Sequence, residues 1–553
     1  MKNRLLLLIV SLLALILVLS GCLSSQYYNI SGYVKNSSGS PIYGVAISFS
    51  DGSQSVVTNS NGYWSKSGLN GSVTVTPSKS GWTFNPPNIT VSGARSDVNF
   101  TGTQNTPAPG TPSNPSPSNG QTGISVNPTL TWTCSGNGIT YDVYFGTSSN
   151  PPLVESGLAV ASYTPKTLSF SKTYYWKIIA KNSGGNTTGS VWSFTTRNMS
   201  GNMSINNIWN LTTNGTSTAG QIYSSPAMSS NEVIFIGGQG ALYAFDSSEG
   251  YYAPSSSPVW SSPVFDTVSN TVFSGNNAGQ IIYLSSPFSS YHVLNISSNP
   301  IISAPLVYNG NVYIVDNFGN IYKMSESSNN PYKICTVGSY VWSSPVTNGT
   351  DMFIGSDNGT FYAVNLSDGM IDWSYPTGEK IYGTAAIDSS GNLYIGATKL
   401  WSFTSNGSLR WSKQLDGSQI YGSPVISENG VVYIGTIEGH FYAIDSSNGD
   451  ILWTRVLSTP IGGVSSSAII GDNGIVYVAS GRVLYALDPG NGNTISSVEL
   501  GYNVESSPVM NDGYIYVGCD DGYLYQIKVL SSTIASHGWP MFMRDWYHTG
   551  IPW

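Results

Sequence analysis

Eight copies of one hairpin constrain this chain more than any other feature. EVIFIGGQGALYAFD returns as TVFSGNNAGQIIYLS, NVYIVDNFGNIYKMS and DMFIGSDNGTFYAVN, then as NLYIGATKLWSFT, VVYIGTIEGHFYAID, IVYVASGRVLYALD and YIYVGCDDGYLYQIK. The aromatic of the second strand falls at Tyr243, Tyr283, Tyr322, Tyr362, Trp401, Tyr442, Tyr485 and Tyr525, in steps of 39 to 43 residues. A period of this length holds four short strands joined by tight turns, which is one blade of a radial array. An S-S-P-V-like strand precedes the hairpins, starting at Ser224, Ser261, Ser303, Ser343, Gly422 and Ser506, with degenerate copies near Thr384 and Ser467.

The expected fold class is therefore all-β: two small β-sandwiches followed by a C-terminal eight-bladed β-propeller over residues 206–553, with seven blades as the alternative. No stretch carries a helical period; short runs rich in Val, Ile, Tyr and Thr alternate with Gly, Asn, Asp and Ser clusters. Trp373, Trp411 and Trp453 mark the fourth strand of their blades in IDW, LRW and ILW. Trp209 carries the same pattern ahead of the first full repeat, while the last repeat lacks such a strand. The N-terminal strand is expected to complete the C-terminal blade and so remove a free sheet edge.

Ahead of the repeats, residues 1–22 read as a signal peptide: Lys2 and Arg4, then an apolar run from Leu5 to Leu19, ending in Leu-Ser-Gly-Cys22. The run is short for a membrane span and suits a signal-peptide core. The ending resembles the lipobox of prokaryotic lipoproteins, which implies export, lipidation of Cys22 and anchoring to the cell membrane or outer membrane. Residues 23–103, with strands expected at Ile30–Val34 and Val45–Phe49, resemble a carboxypeptidase regulatory-like sandwich. Residues 104–118, QNTPAPGTPSNPSPS, read as a Pro-rich, semi-rigid linker. Residues 119–197 resemble a fibronectin type III sandwich, with Trp132, Tyr144, Trp176 and Trp192 assigned to its buried face. Both sandwiches are expected to act as spacers.

The blade ends carry a family signature. Ala443, Asp445, Gly449 and Trp453 match A-x-D-x-x-x-G-x-x-x-W in full, and Ala363, Gly369 and Trp373 repeat it with Asn365 in the Asp position. This motif resembles the tryptophan-docking repeat of the pyrroloquinoline-quinone (PQQ) propellers, and the tail WPMFMRDWYHTG at 539–550 resembles a segment attached to such propellers in bacterial lipoproteins. The resemblance implies structural docking roles for these residues, and for Trp411 and Trp209. It covers a superfamily that holds both quinoprotein dehydrogenases and non-catalytic BamB-like lipoproteins.

Chemistry is sparse. The vicinal Cys pair and the long inter-blade insertions of the alcohol dehydrogenases are missing, so PQQ and Ca²⁺ are not expected as cofactors. The four histidines show no zinc-site spacing, no G-x-S-x-G elbow occurs, and the Asp520-Asp521 pair reads as a solvated hairpin turn. No catalytic, cofactor or metal residue is assigned, and His548 is expected to cap the propeller by a hydrogen bond. Cys134, Cys335 and Cys519 read as buried free thiols. The net charge of −8, with no basic stripe, excludes nucleic acid as a partner. Charged residues make up only 9% of the chain against about 25% in ordinary domains. That surface suits an envelope protein or a cell-surface polysaccharide as partner. The expected function is a monomeric, non-enzymatic lipoprotein whose propeller binds or scaffolds proteins, with polysaccharide binding as the alternative.

Overall fold

The computed structural model describes residues 27–199, 201–211, 220–246, 250–326, 328, 330–457 and 463–552. Cys22 and the signal segment lie outside the described residues. Within them the chain is all-β, without an α-helix, and no helix is long and apolar enough to cross a membrane.

The repeats build eight four-stranded antiparallel sheets among the described residues. Blades 1 to 8 are numbered by their innermost strands: Ala227–Met228, Val264–Asp266, Leu306–Tyr308, Val346–Thr347, Ala386–Ile387, Val425–Ile426, Ile469–Ile470 and Val509–Asn511. The three residues before each of these strands explain the S-S-P-V repeat. The second Ser accepts the amide of the equivalent residue one blade earlier: Ser225 N–H donates to Ser262 Oγ at 2.9 Å, and Ser344 to Thr384, Thr384 to Ser423, Ser423 to Ser467 and Ser467 to Ser507 follow at 2.8–3.0 Å. Ser507 N–H then donates to Ser225 Oγ at 2.9 Å, which closes the circle. Blade 3 is the exception: Ala304 donates to Ser344 Oγ but offers Ser262 no hydroxyl. The first Ser works across strands and blades, as when Ser261 Oγ donates to Ser303 O at 2.9 Å.

Closure at the rim uses the N-terminal strand. Ser204–Asn210 is the outermost strand of blade 8 and pairs antiparallel with Tyr523–Lys528. Trp209 sits between Tyr516 of that blade and Phe245 of blade 1, with ring centroids 6.2 and 5.9 Å away. Between blades 4 and 7 the blade-end motif docks each indole onto the next turn. Trp411 Nε1 donates to Ser446 O at 3.1 Å, and a methyl placed on Gly449 would lie 2.8 Å from its ring. Gly449 has φ +79°, so glycine is required there both for the backbone and for the indole. Trp453 donates to Pro489 O at 2.8 Å, and Trp373 to Ser405 O at 3.0 Å. Ala363 and Ala443 pair with Trp373 and Trp453 across the strands and are fully buried beneath the blade. Gly369 (φ +75°) meets Ile334, which stands in blade 3 where later blades have Trp.

Two expectations about the N-terminal half need correction. The Pro-rich segment is not a free linker, because Ser113–Ser116 pairs with Leu130–Thr133 and belongs to the second sandwich. Its carbonyls at Pro107 and Pro109 accept from Asn182 and Thr187 at 2.9 and 2.6 Å. Nor is that sandwich a detached spacer. Phe170 N–H donates to Asp488 at 2.9 Å, Arg197 to Asn473 O at 2.7 Å, and Lys166 pairs with Asp445 at 3.1 Å. Val126 and Leu168 join one apolar core with Ile475 and Tyr477 of blade 7. Asp445 thus serves its own turn, accepting from Ser447 N–H at 2.9 Å, and the docked sandwich as well. A smaller correction concerns Tyr144. Val143 and Phe145 face the sandwich core, so the alternation of the strand turns Tyr144 outward beneath Lys177, 4.6 Å from the ring. Cys134 and Cys335 are half-buried and Cys519 is buried; all three are free.

Candidate functional site

The channel at the centre of the ring has one closed end and one open end. Each inner strand leads toward the closed end, where the tail crosses it. Ile426 and Trp539 exchange backbone hydrogen bonds at 2.8 Å, and Ile470 N–H donates to Pro540 O. Further on, Met228 donates to Trp546 O, Phe265 to Tyr547 O and Thr347 to Gly550 O. Residues 539–550 therefore touch inner strands of blades 6, 7, 1, 2 and 4 in turn. Trp539, Met541, Met543 and His548 are fully buried. His548 Nδ1 lies 2.8 Å from Pro263 O, so the neutral ring donates there, and burial pushes its pKa down to about 4. Asp545 holds the last turn, accepting from Tyr547 and Thr549 amides and from the Thr549 hydroxyl at 2.6 Å.

The open end is set by the residue immediately before each S-S-P copy. Because a strand alternates its faces, this residue and the ring-forming hydroxyl two positions later both point into the channel, while the residue between them is buried in the blade. Around the eight blades the position reads Tyr223, Trp260, Ile302, Trp342, Tyr382, Tyr421, Ser465 and Glu505, and all eight line one cavity of about 590 Å³. Its inner wall is the hydroxyl ring, and Phe542 of the tail forms part of its lining. Tyr223 and Trp260 meet edge to face at 5.1 Å, as do Tyr382 and Tyr421 at 5.0 Å. Trp342 and Tyr421 remain 43% and 44% exposed, which is unusual for side chains of this size in a built cavity.

Charge is distributed unevenly around this mouth. Against the cost of burial, hydrogen bonds from Asn320, Asn299 and Ser297 hold the Asp316 carboxyl below its usual range. Lys399 and Thr398 do the same for Glu379, and Thr436 and Ser418 for Asp416. Asp357 pairs with Lys380 at 3.0 Å. Glu505 and Asp520 differ. Burial raises the pKa of both, and Asp520 reaches about 7 through burial and the neighbouring Glu505. The Ile222 backbone hydrogen-bonds to Asp520, which ties this blade 8 side chain to the Tyr223 position of blade 1. Its Oδ1 is buried without a partner, as is the Trp260 indole nitrogen. Asp520 is 93% buried, so the solvated-turn expectation for Asp520-Asp521 is corrected: the hairpin buries Asp520, while Asp521 accepts from Tyr525 Oη at 2.6 Å.

None of the mouth residues was among the sequence-derived candidates. The signal existed in the column preceding S-S-P, aromatic in five of eight copies. The blade-docking residues lie elsewhere, at the outer strands and turns, and do not converge on the channel.

Comparison with known proteins follows the same boundary. A family profile described as outer membrane protein assembly factor BamB matches residues 295–467 and 377–539. A protein named outer membrane protein assembly factor BamB from Moranella endobia (strain PCIT) is 24% identical over 243 residues, 39% of this chain and 59% of that protein. Its namesake from Yersinia pestis is 24% identical over 208 residues, 34% of this chain and 50% of that protein. The chain thus spans about half the length of these relatives. Among solved structures, BamB from Moraxella catarrhalis gives a TM-score of 0.49 at 15% identity, covering 59% of this chain and 99% of that one. Sqt1 from Saccharomyces cerevisiae gives 0.49 at 12% identity, covering 60% and 100%. The profile and the curated relatives support a propeller of the PQQ-like superfamily. The profile match lies within the repeat region.

Proposed function

We propose that this chain is a non-catalytic lipoprotein of the cell envelope, anchored through Cys22, whose propeller binds a protein partner at the open mouth. The observation that carries the reading is the asymmetry of the channel: one end is plugged by the chain's own tail, the other presents half-exposed Trp342 and Tyr421 over a ring of hydroxyls. Exposed Trp and Tyr side chains are enriched in protein interfaces and dominate their binding energy. The relatives' description as assembly factors agrees with a scaffold role.

PQQ does not fit this mouth. The quinone carries three carboxylates, whereas among the described residues the lining holds no lysine or arginine and includes the carboxylates Asp357 and Glu505. The half-exposed aromatics also suit stacking on sugar rings, which keeps polysaccharide as the second reading. Cross-linking of envelope proteins to the full chain, compared with the Trp342→Ala/Tyr421→Ala double variant, tests the proposal. Loss of specific cross-links in the variant is expected. Unchanged cross-links, or binding of cell-surface polysaccharide in their place, overturn it, as does dehydrogenase turnover after adding PQQ and Ca²⁺.

A further inference from the structure

The geometry points to a cation subsite in the mouth, formed by Glu505, Asp520, Tyr223 and Trp260, that takes a lysine or arginine side chain of an extended partner segment. The inference rests on the protein-binding reading and adds the chemistry of the bound group. Four other carboxylates at this end have internal partners: Asp316 its amides, Glu379 Lys399, Asp357 Lys380 and Asp416 Thr436. Among the described residues, Glu505 has no hydrogen-bond or ionic partner, and Asp520 leaves Oδ1 unpaired. Two carboxylates gathered without a cation in a desolvated wall are costly, and an incoming ammonium or guanidinium removes the cost for both.

The neighbours are suited to that guest. Both carboxylates act electrostatically on Tyr223, so the phenol and the acids share one sector. Trp260 packs edge to face on Tyr223, and the two rings border the same cavity as Glu505. Aromatic faces beside carboxylates hold an alkylammonium along its whole length, the rings taking the methylenes and the acids the charge. An anionic or neutral segment gains nothing from this sector. Trp342 and Tyr421 on the far side of the same cavity offer apolar area for the flanking residues.

Proton linkage supplies an independent readout. Asp520 faces Glu505, Asp521 and Tyr223, with Cys519 beside it and Tyr525 bound to Asp521; none of these is a cation. With its pKa at about 7 in the free protein, Asp520 is partly protonated at neutral pH, and a bound cation must expel that proton. Affinity therefore rises as pH increases through about 7 and flattens above it.

The test uses the full chain in detergent and fluorescein-labelled dodecapeptides (Gly-Ser-X)4, with X as lysine, norleucine or glutamate, read by fluorescence anisotropy. The lysine peptide is expected to bind at least about ten-fold tighter than the other two. Glu505→Gln and Asp520→Asn each remove most of that preference, and Asp520→Asn also abolishes the rise in affinity with pH. Glu505→Lys is expected to favour the glutamate peptide, which guards against a variant that merely misfolds. Equal binding of lysine and norleucine peptides, or lysine preference retained in Glu505→Gln with Asp520→Asn, overturns the inference. If envelope cross-links persist in that carboxylate variant but vanish in Trp342→Ala/Tyr421→Ala, the protein-binding reading stands and the cation subsite alone falls.

Discussion

The two ends of the channel are built from the same eight inner strands yet obey opposite rules. At the plugged end, residues 539–550 satisfy backbone groups of five blades and bury Trp539, Met541 and Met543 completely. Ionisable groups there are neutral or held: His548 is kept uncharged, and Asp545 is held by the Thr549 turn. At the open end, aromatic side chains stay half in water and two carboxylates go without a cation. Stability resides at one end and unspent interaction capacity at the other. Substitutions at the plug should therefore cost stability, and those at the mouth should cost binding.

The largest effect is expected from Trp539→Ala. The indole is fully buried, and its backbone bridges to Ile426 in both directions, so the substitution leaves a void that the ring cannot collapse around. Urea unfolding should show a loss of about 3–5 kcal/mol. A loss below about 1 kcal/mol would mean the tail is an ornament on a ring that closes without it.

Acid should attack the same end. The folded pKa of His548 lies at about 4, below the value of the unfolded chain, so between about pH 6.5 and 4 the unfolded state binds the extra proton. The stability contributed by the neutral ring is complete above that window and is lost as pH falls through it, by about 3 kcal/mol in all. His548→Asn, which can still donate to Pro263 O, should flatten the acid limb relative to the unsubstituted chain. Parallel limbs for the two proteins would remove His548 as the cause.

The mouth should titrate the other way. Asp520 has its folded pKa raised to about 7, so its contribution is present below the unfolded value near 4 and declines as pH rises through 7. Asp520→Asn keeps the acceptor for Ile222 and removes the charge. It should raise stability at pH 8 by about 1–2 kcal/mol, a figure reduced for the water that enters through the mouth. No change at pH 8 would place Asp520 in a better-solvated setting than its burial indicates.

These contrasts also explain what could be read from residues alone. The 40-residue step of Tyr243 to Tyr525 is a consequence of strand length and turn length, both local, so the blades were legible. So was the role of Trp209, because a strand without its own hairpin must find one elsewhere. The docking indoles Trp373, Trp411 and Trp453 were legible from the blade-end motif, whereas the glycines that receive them, Gly407, Gly449 and Gly492, each belong to the following blade. The mouth was not. Tyr223, Trp260, Trp342 and Glu505 lie 37 to 282 residues apart and meet only because the ring closes. Docking of the second sandwich escaped for the same reason: Phe170 and Asp488 carry no shared pattern, and the Pro-rich run before it looks the same whether free or paired.

The smallest effect tests whether the inner circle is cooperative. Every blade but the third supplies a hydroxyl, and the missing one leaves the Ser262 amide without the acceptor its counterparts have. Ala304→Ser would place Oγ where Ser344 Oγ sits in the next blade, completing the circle. One added hydrogen bond in a buried site contributes about 0.5–1 kcal/mol. A larger gain would show that the circle of amide-to-hydroxyl bonds tightens as a unit rather than pair by pair. A loss would show that the hydroxyl fails to reach Ser262 and is left unpaired beside Met543, which shares the apolar cluster of Ala304. In that case the channel is closed at blade 3 by packing against the tail, and the two ends are coupled at that position.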